Sequence, residues 1–347
     1  MSLVQTVNQP IVAELVALLE KRPDLSRALM ESIAKAGRPG IDTLERYFAF
    51  LNAMVVMIPM DRDLNSHILK FYYLINLSPG GLLQADKPFL EWTRKFAKDW
   101  GVFLDTPESA AGIESFMTNP AYRMADYLVP AGGWRTFNEF FARGVRPGLR
   151  PVDGAGDDNV IVSPADSAYQ GQWPISEHSR ITAKGWKWPV RELLAGSPHQ
   201  ERFSGGVFAH SFLDVNDYHR FHAPVGGTIL EARKIPGHAV MDVAKAADGS
   251  LKAVDGTGYQ FTQDRGLVVI DSPVGLVAVL PIGMAQVSSV NLTVSADDKL
   301  AKGGEIGHFA FGGSDIVMLF EAGKVKLDAR IGTHYDQGRQ IAHAVNG

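Results

Sequence analysis

Three short stretches concentrate side chains able to do chemistry. "IVSPADSAYQG" (161–171) puts Asp166 behind an apolar run and a proline turn. "HSFLDVNDYHRFHAPVGG" (210–227) packs His210, Asp214, Asp217, His219, Arg220 and His222 into a short span, and "GHFAFGGSDIVMLFEAG" (307–323) sets Ser314 behind Gly312 and Gly313. Each has a plain reading by itself. An Asp after Ser-Pro bonds its own backbone in a turn. Histidines three apart on a strand face opposite sides, so 219 and 222 would share a metal ion only across a bend. Gly-Gly-Ser between two strand-like runs reads as a hairpin turn or bulge. Together, however, Asp, His and Ser are the parts of an activated-serine constellation, which is recognised by geometry and not by chain order.

A serine hydrolase would carry Gly-x-Ser-x-Gly between a strand and a helix. Ser314 is followed instead by Asp315, Ile316 and a strand-like run. A different use fits this setting better: the peptide bond before the serine is itself the substrate. Gly313 leaves its carbonyl unshielded and admits backbone angles closed to other residues. A strained peptide there lets the Ser314 hydroxyl reach the preceding carbonyl carbon. A neighbouring imidazole takes the hydroxyl proton, and a carboxylate holds that imidazole in its useful tautomer. Attack turns the amide into an ester. β-Elimination then splits the chain, and the dehydroalanine left behind hydrolyses to an N-terminal pyruvoyl group with loss of ammonia.

The elements that would position these residues fall into two textures. Residues 1–128 read as a packed helical bundle. In "PIVAELVALLE" Pro10 suits a first helical turn and Ile11, Leu15, Leu18 and Leu19 share a face; "PDLSRALMESIAKAG" offers Asp24 as N-cap and Gly37 as stop. "IDTLERYFAFLNAMVVMIP" opens with Asp42 and Glu45 at capping-box spacing and closes at Pro59, and further helices are expected over 62–76, 86–100 and 107–117. After "VPAGGW" (129–134), glycine and proline become frequent and short β-branched runs recur, the mark of strands. The fold class expected is α+β: a helical N-terminal domain over 1–130, then a mainly antiparallel, β-rich catalytic domain over 131–347. Within it "DIVMLFE" reads as a strand, with "KVKLDARIG" (324–332) pairing back onto it across Ala322 and Gly323.

Composition sets outer bounds. At 347 residues the chain can hold two domains, and a net charge of −4 argues against a broad footprint for nucleic acid. There is no cysteine, which removes disulfides, thiolate zinc sites and cysteine nucleophiles and agrees with a cytoplasmic protein. The N-terminus has no basic residue before Lys21, unlike a secretory signal, and "YFAFLNAMVVMIPM" (47–60) is too short to span a bilayer. A soluble protein is expected, with no metal and no nucleic-acid partner.

The ordered motifs of the second half resemble the phosphatidylserine decarboxylase family, a pyruvoyl-dependent group. "FFARGVRPGLRP" (140–151), "SPADS" (163–167), "DYHRFHAP" (217–224) and "KGGEIGHFAFGGS" (302–314) match that family's motifs in order, with "FGGS" at its self-cleavage site. The resemblance implies cleavage between Gly313 and Ser314, with Asp166, His222 and Ser314 as the self-processing triad. It implies that His219 handles a proton during decarboxylation, that the pyruvoyl group forms a Schiff base with the substrate amine, and that no PLP is needed. Ser167 stands where the family has glycine, Asp315 where it has threonine, and "QVSSVN" (286–291) where many members have Val-Gly-Ser-Ile.

A helical N-terminal part without a spanning segment resembles the branch holding soluble aromatic amino acid decarboxylases. The expected substrate and small-molecule partner is therefore a free L-amino acid, tryptophan-like. Phosphatidylserine, reached by docking an apolar helical face on a membrane, is the alternative. A catalytically silent binding module is the alternative of another class, supported by Asp315 and Ser167, and members of the family are often homodimers.

Overall fold

The computed structural model describes residues 9–176, 180–183, 186–254, 262–283, 290–311 and 314–345. Helices come first: α1 (Pro10–Lys21), α2 (Pro23–Ala36), α3 (Leu44–Met54), α4 (Leu64–Asn76), α5 (Leu82–Ala85), α6 (Lys87–Leu104) and α7 (Ile113–Met117). Proline opens both α1 and α2, where its missing N–H removes no helical bond. Gly37 ends α2 in the left-handed region (φ 56°), as expected. In α6 the buried residues Phe89, Trp92, Phe96, Trp100 and Leu104 recur at helical spacing, and Phe96 stacks on Phe71 of α4 at 5.2 Å. Among the described residues no helix is long and apolar enough to cross a membrane.

Three caps differ from expectation. Arg22, not Asp24, is the N-cap of α2; Asp24 lies in the first turn, its carboxylate 2.7 Å from the Arg22 guanidinium. Thr43 caps α3 by accepting from the Arg46 N–H, while Asp42 pairs with the Arg46 side chain. That helix ends at Met54, before the β-branched pair Val55 and Val56, and not at Pro59.

Beyond the short α8 (Phe137–Phe141) the chain is mainly strand: β1 (Val160–Val162), β2 (Ser167–Pro174), β3 (Arg180–Ala183), β4 (Trp186–Pro189), then helix α9 (Val190–Leu194). There follow β5 (Val207–Leu213), β6 (Arg220–His222), β7 (Gly227–Ile235), β8 (Val243–Lys245), β9 (Leu251–Ala253), β10 (Arg265–Ser272) and β11 (Gly275–Gly283). The last are β12 (Val290–Leu292), β13 (Lys299–Leu300), β14 (Glu305–Phe309), β15 (Ser314–Phe320), β16 (Val325–Leu327), β17 (His334–Tyr335) and β18 (Gln340–Ala344). The main sheet runs β13-β7-β10-β11-β15-β5-β2-β17, beside three-stranded sheets β12-β14-β6 and β1-β18-β16. Ladders between these strands are antiparallel, so the α+β expectation holds at that level.

Every residue of β15 is buried, because both faces of the main sheet are covered. Ile316, Met318 and Phe320 face a large apolar core that continues into the helices, where Trp100 meets Phe311 edge-on at 5.3 Å. Val317 and Leu319 face a second, smaller core with Leu280, Ile282 and Leu193.

Both hairpins expected around Ser314 are absent. β15 is flanked by β11 and β5, so neither edge is left for residues 324–332, and β16 pairs with β18 instead. β14 belongs to another sheet, between β12 and β6. The chain therefore leaves one sheet at Phe309 and enters the other at Ser314. The approach is tight: a Cβ on Gly307 would lie 2.2 Å from the Asn291 carbonyl and 2.6 Å from the Phe221 ring. Gly307→Ala should destabilise by about 1–3 kcal/mol through overpacking, read as a lower denaturant midpoint. An unchanged midpoint would show that β14 shifts against β12 and β6 here at little cost.

Candidate active site

Backbone hydrogen bonds bring the three reactive stretches together. The His222 N–H donates to the Pro164 carbonyl (2.8 Å), Ala223 to Gly304 (2.8 Å) and Phe309 to His219 (2.9 Å). β6 thus lies between the "SPADS" turn and β14. Ser314 opens β15, opposite Leu213 of β5 and Gly283 of β11.

Asp166 is wholly buried and saturated. Its Oδ1 accepts from Arg150 Nε (2.9 Å) and the Gln337 N–H (2.8 Å); its Oδ2 accepts from Arg150 Nη2 (2.6 Å) and Arg123 Nη2 (3.0 Å). His222 takes other partners. Its Nδ1 is 2.9 Å from the Gly303 carbonyl and its Nε2 3.2 Å from the Tyr218 hydroxyl. A carbonyl only accepts, so Nδ1 carries the proton and Nε2 presents a lone pair. Burial lowers the pKa of His222, against the Gly303 bond and the Glu305 and Asp166 charges, and keeps the ring in its proton-accepting form. The tautomer that Asp166 was expected to fix is fixed by a backbone carbonyl. Among the described residues no hydrogen bond joins Asp166 to His222, since the arginines occupy the carboxylate.

The Ser314 hydroxyl is buried and has no hydrogen-bond partner among the described residues. Gly312 and Gly313, which bear the expected cleavage site, lie outside the described residues, as does most of "QVSSVN". His219 is completely buried, its ring centroid 3.8 Å from that of Phe141, with the Asp217 backbone beside its ring. Desolvation, with the Arg143 charge adding to it, holds its pKa well below the ordinary value, so the ring is neutral. Arg143 is itself buried, 4.2 Å over the Tyr127 ring, its Nη2 donating to the Asn216 and Asp217 carbonyls.

Asp315 lies on the other side of the sheet. Successive strand residues face opposite ways, and Asp315 shares the face of Val317, where His210 Nε2 donates to its Oδ1 at 2.6 Å. Both partners are buried. The departure from threonine therefore points away from the Ser314 hydroxyl. Ser167, the other departure, directs its hydroxyl to the Ala165 carbonyl at 3.3 Å, within the turn that holds Asp166.

Two cavities, of about 810 and 770 Å³, flank the strand leading to Ser314 and share Asp105, Asn138, Asn291 and Ala310. Trp134, Arg143 and Arg220 line the first; α6 walls the second. Volumes of that size suit a small-molecule ligand. Arg123, Arg150 and Tyr218 were not foreseen as site residues. Tyr218 and Arg150 stand inside quoted motifs, but Arg123 carries no local sequence signal.

Residues 137–343 match the family model described as phosphatidylserine decarboxylase. The chain belongs to the phosphatidylserine decarboxylase family. That family is one of pyruvoyl-dependent carboxy-lyases. A phosphatidylserine decarboxylase proenzyme of Fusobacterium nucleatum is 32% identical over 239 residues, covering 69% of this chain and 77% of that protein. Proenzyme 3 of Schizosaccharomyces pombe is 36% identical over 229 residues, and proenzyme 2 of Oryza sativa 31% over 253. The matched region spans only 23% and 40% of the length of those two relatives. These names overturn the expectation of a free aromatic amino acid as substrate and small-molecule partner: they name a phospholipid. The helical region from which that expectation came lies outside the residues that the family model matches.

Proposed function

We propose that this chain is a proenzyme that cuts itself between Gly313 and Ser314 and then removes the α-carboxylate of phosphatidylserine, leaving phosphatidylethanolamine. The observation that carries the reading is the Ser314 hydroxyl, buried and without a hydrogen-bond partner among the described residues, at the serine of "FGGS". Leaving such a group unsatisfied costs about 1–3 kcal/mol, and a native chain retains it where chemistry requires it free.

In self-processing, Ser314 Oγ attacks the Gly313 carbonyl carbon, and His222, through its unprotonated Nε2, takes the hydroxyl proton and returns it to the departing nitrogen. Asp166 acts through its charge, not through a direct bond. β-Elimination leaves Oγ on a Gly313 carboxylate, and hydrolysis at 314 consumes water and releases ammonia. Support for the resulting group is that its methyl replaces a hydroxymethyl without a hydrogen-bond partner among the described residues. A pyruvoyl group there supplies an electron sink for loss of carbon dioxide. His219 takes up a proton in the reaction and delivers it to the substrate α-carbon, the role that the family resemblance implies for it. We take the catalytic part to begin near residue 131, with the preceding helices as a separate layer on it. A phospholipid substrate makes a membrane surface the partner.

The test offers the purified full chain phosphatidylserine vesicles in one reaction and tryptophan in another. Ethanolamine phospholipid and carbon dioxide from the first alone are expected. Tryptamine formation with inert vesicles would overturn the substrate. An uncut chain inactive on both would favour the silent module.

A further inference from the structure

Asp166 is held by two guanidinium groups of different origin. Arg150 belongs to "FFARGVRPGLRP", inside the matched 137–343. Arg123 precedes that region, between two 3-10 turns of the helical part, with a left-handed backbone (φ 45°, ψ 46°) rare for a residue other than glycine. Held in that conformation, it reaches Asp166 at 3.0 Å and Asp336 at 2.9 Å. Its side chain is 44% exposed, at the rim of a surface cavity of about 450 Å³, whereas Asp166 is fully buried. Arg123 thus joins the helical part to the carboxylate behind the self-processing histidine.

The geometry points to Arg123 as a positioning residue: by pairing with Asp166 it cancels the negative charge that would otherwise stabilise a cation on His222. The inference rests on the self-processing reading above. The groups facing His222 are few. Arg220 lies on its own strand, Glu305 on β14, the Tyr218 hydroxyl at its Nε2, and Asp166 in the adjoining turn. Arg220 and Glu305 pair with each other at 3.0 Å, which reduces the charge that each presents to His222. Asp166 is the other anion, and its pairing with Arg150 and Arg123 decides how much of its charge His222 feels. Losing Arg123 makes the neighbourhood one unit more negative, which favours the imidazolium and leaves less neutral base at a given pH.

The experiment follows cleavage of freshly translated full chain in buffers from about pH 5 to 8, across the histidine range. Arg123→Met and Arg123→Gln should each raise the pH midpoint of cleavage by about half a unit, slowing it about threefold on the acid side. Arg123→Lys, which keeps the charge, should hold the wild-type midpoint. A merely structural role would lower the rate without moving the midpoint. An unmoved midpoint in both neutral variants, or an equal shift in Arg123→Lys, overturns the inference. His222→Asn separates the two levels. If it stays uncut while the Arg123 variants show no shift, only this inference falls. If it is cut at the wild-type rate, the self-processing reading falls with it.

Discussion

Ser314→Ala should leave a single uncut chain and abolish decarboxylation, a loss of at least about 10³-fold. Without Oγ there is no nucleophile for the Gly313 carbonyl and no ester to eliminate. Mass spectrometry of wild type should find one fragment ending at Gly313 and a second beginning at position 314 without a free amine. The variant should show one species of 37.8 kDa. Folding offers an internal control, because the deleted hydroxyl is buried and has no hydrogen-bond partner among the described residues. Its removal relieves an unsatisfied group, so stability should stay equal or rise slightly. Inactivity with a preserved melting temperature places the effect in chemistry. Full activity in an uncut Ser314→Ala chain would end the proposal.

The parts of the site carried by side-chain type and spacing were legible. Ser314 behind two glycines, and the histidine–aspartate cluster at 217–222, announced themselves because reactive residues in short, ordered motifs are rare by composition. What motif reading assigned wrongly was connectivity inside the site. A carboxylate, an imidazole and a hydroxyl suggest a relay, yet the structure gives Asp166 to Arg123 and Arg150 and gives His222 Nδ1 to the Gly303 carbonyl. Those partners come from far along the chain, and one is a backbone atom with no residue type to read. The substrate was misjudged for another reason: it was inferred from helices outside the region that carries the family's motifs.

The fold divided similarly. Helix existence followed from apolar spacing and from Pro10 and Gly37, which act within one turn. Strand existence followed from β-branched runs. Strand pairing did not, because a run of seven buried residues such as β15 has no polar alternation to mark an edge. "DIVMLFE" next to "KVKLDARIG" looks like a hairpin locally. Long-range partners on both edges override that appearance.

Breaking the buried pair behind the cleavage strand should have the second large effect, on stability and not on chemistry. Asp315→Ala leaves the His210 imidazole buried without its carboxylate, and removing one member of such a pair costs about 3–5 kcal/mol. Asp315→Thr restores the residue type usual in the family. Its hydroxyl can accept from His210 Nε2, so the loss should fall to about 1–2 kcal/mol. Both side chains project to the face of Val317, opposite the Ser314 hydroxyl, so the folded fraction of either variant should cut itself as wild type does. Denaturant midpoints and cleavage per folded molecule, measured on the same samples, separate the two quantities. A threonine variant that folds normally but stays uncut would put residue 315 into the chemistry and contradict the placement of its side chain. Retained cleavage with lowered stability would show that the strand bearing the new N-terminus is anchored from behind, leaving its reactive end free on the other face.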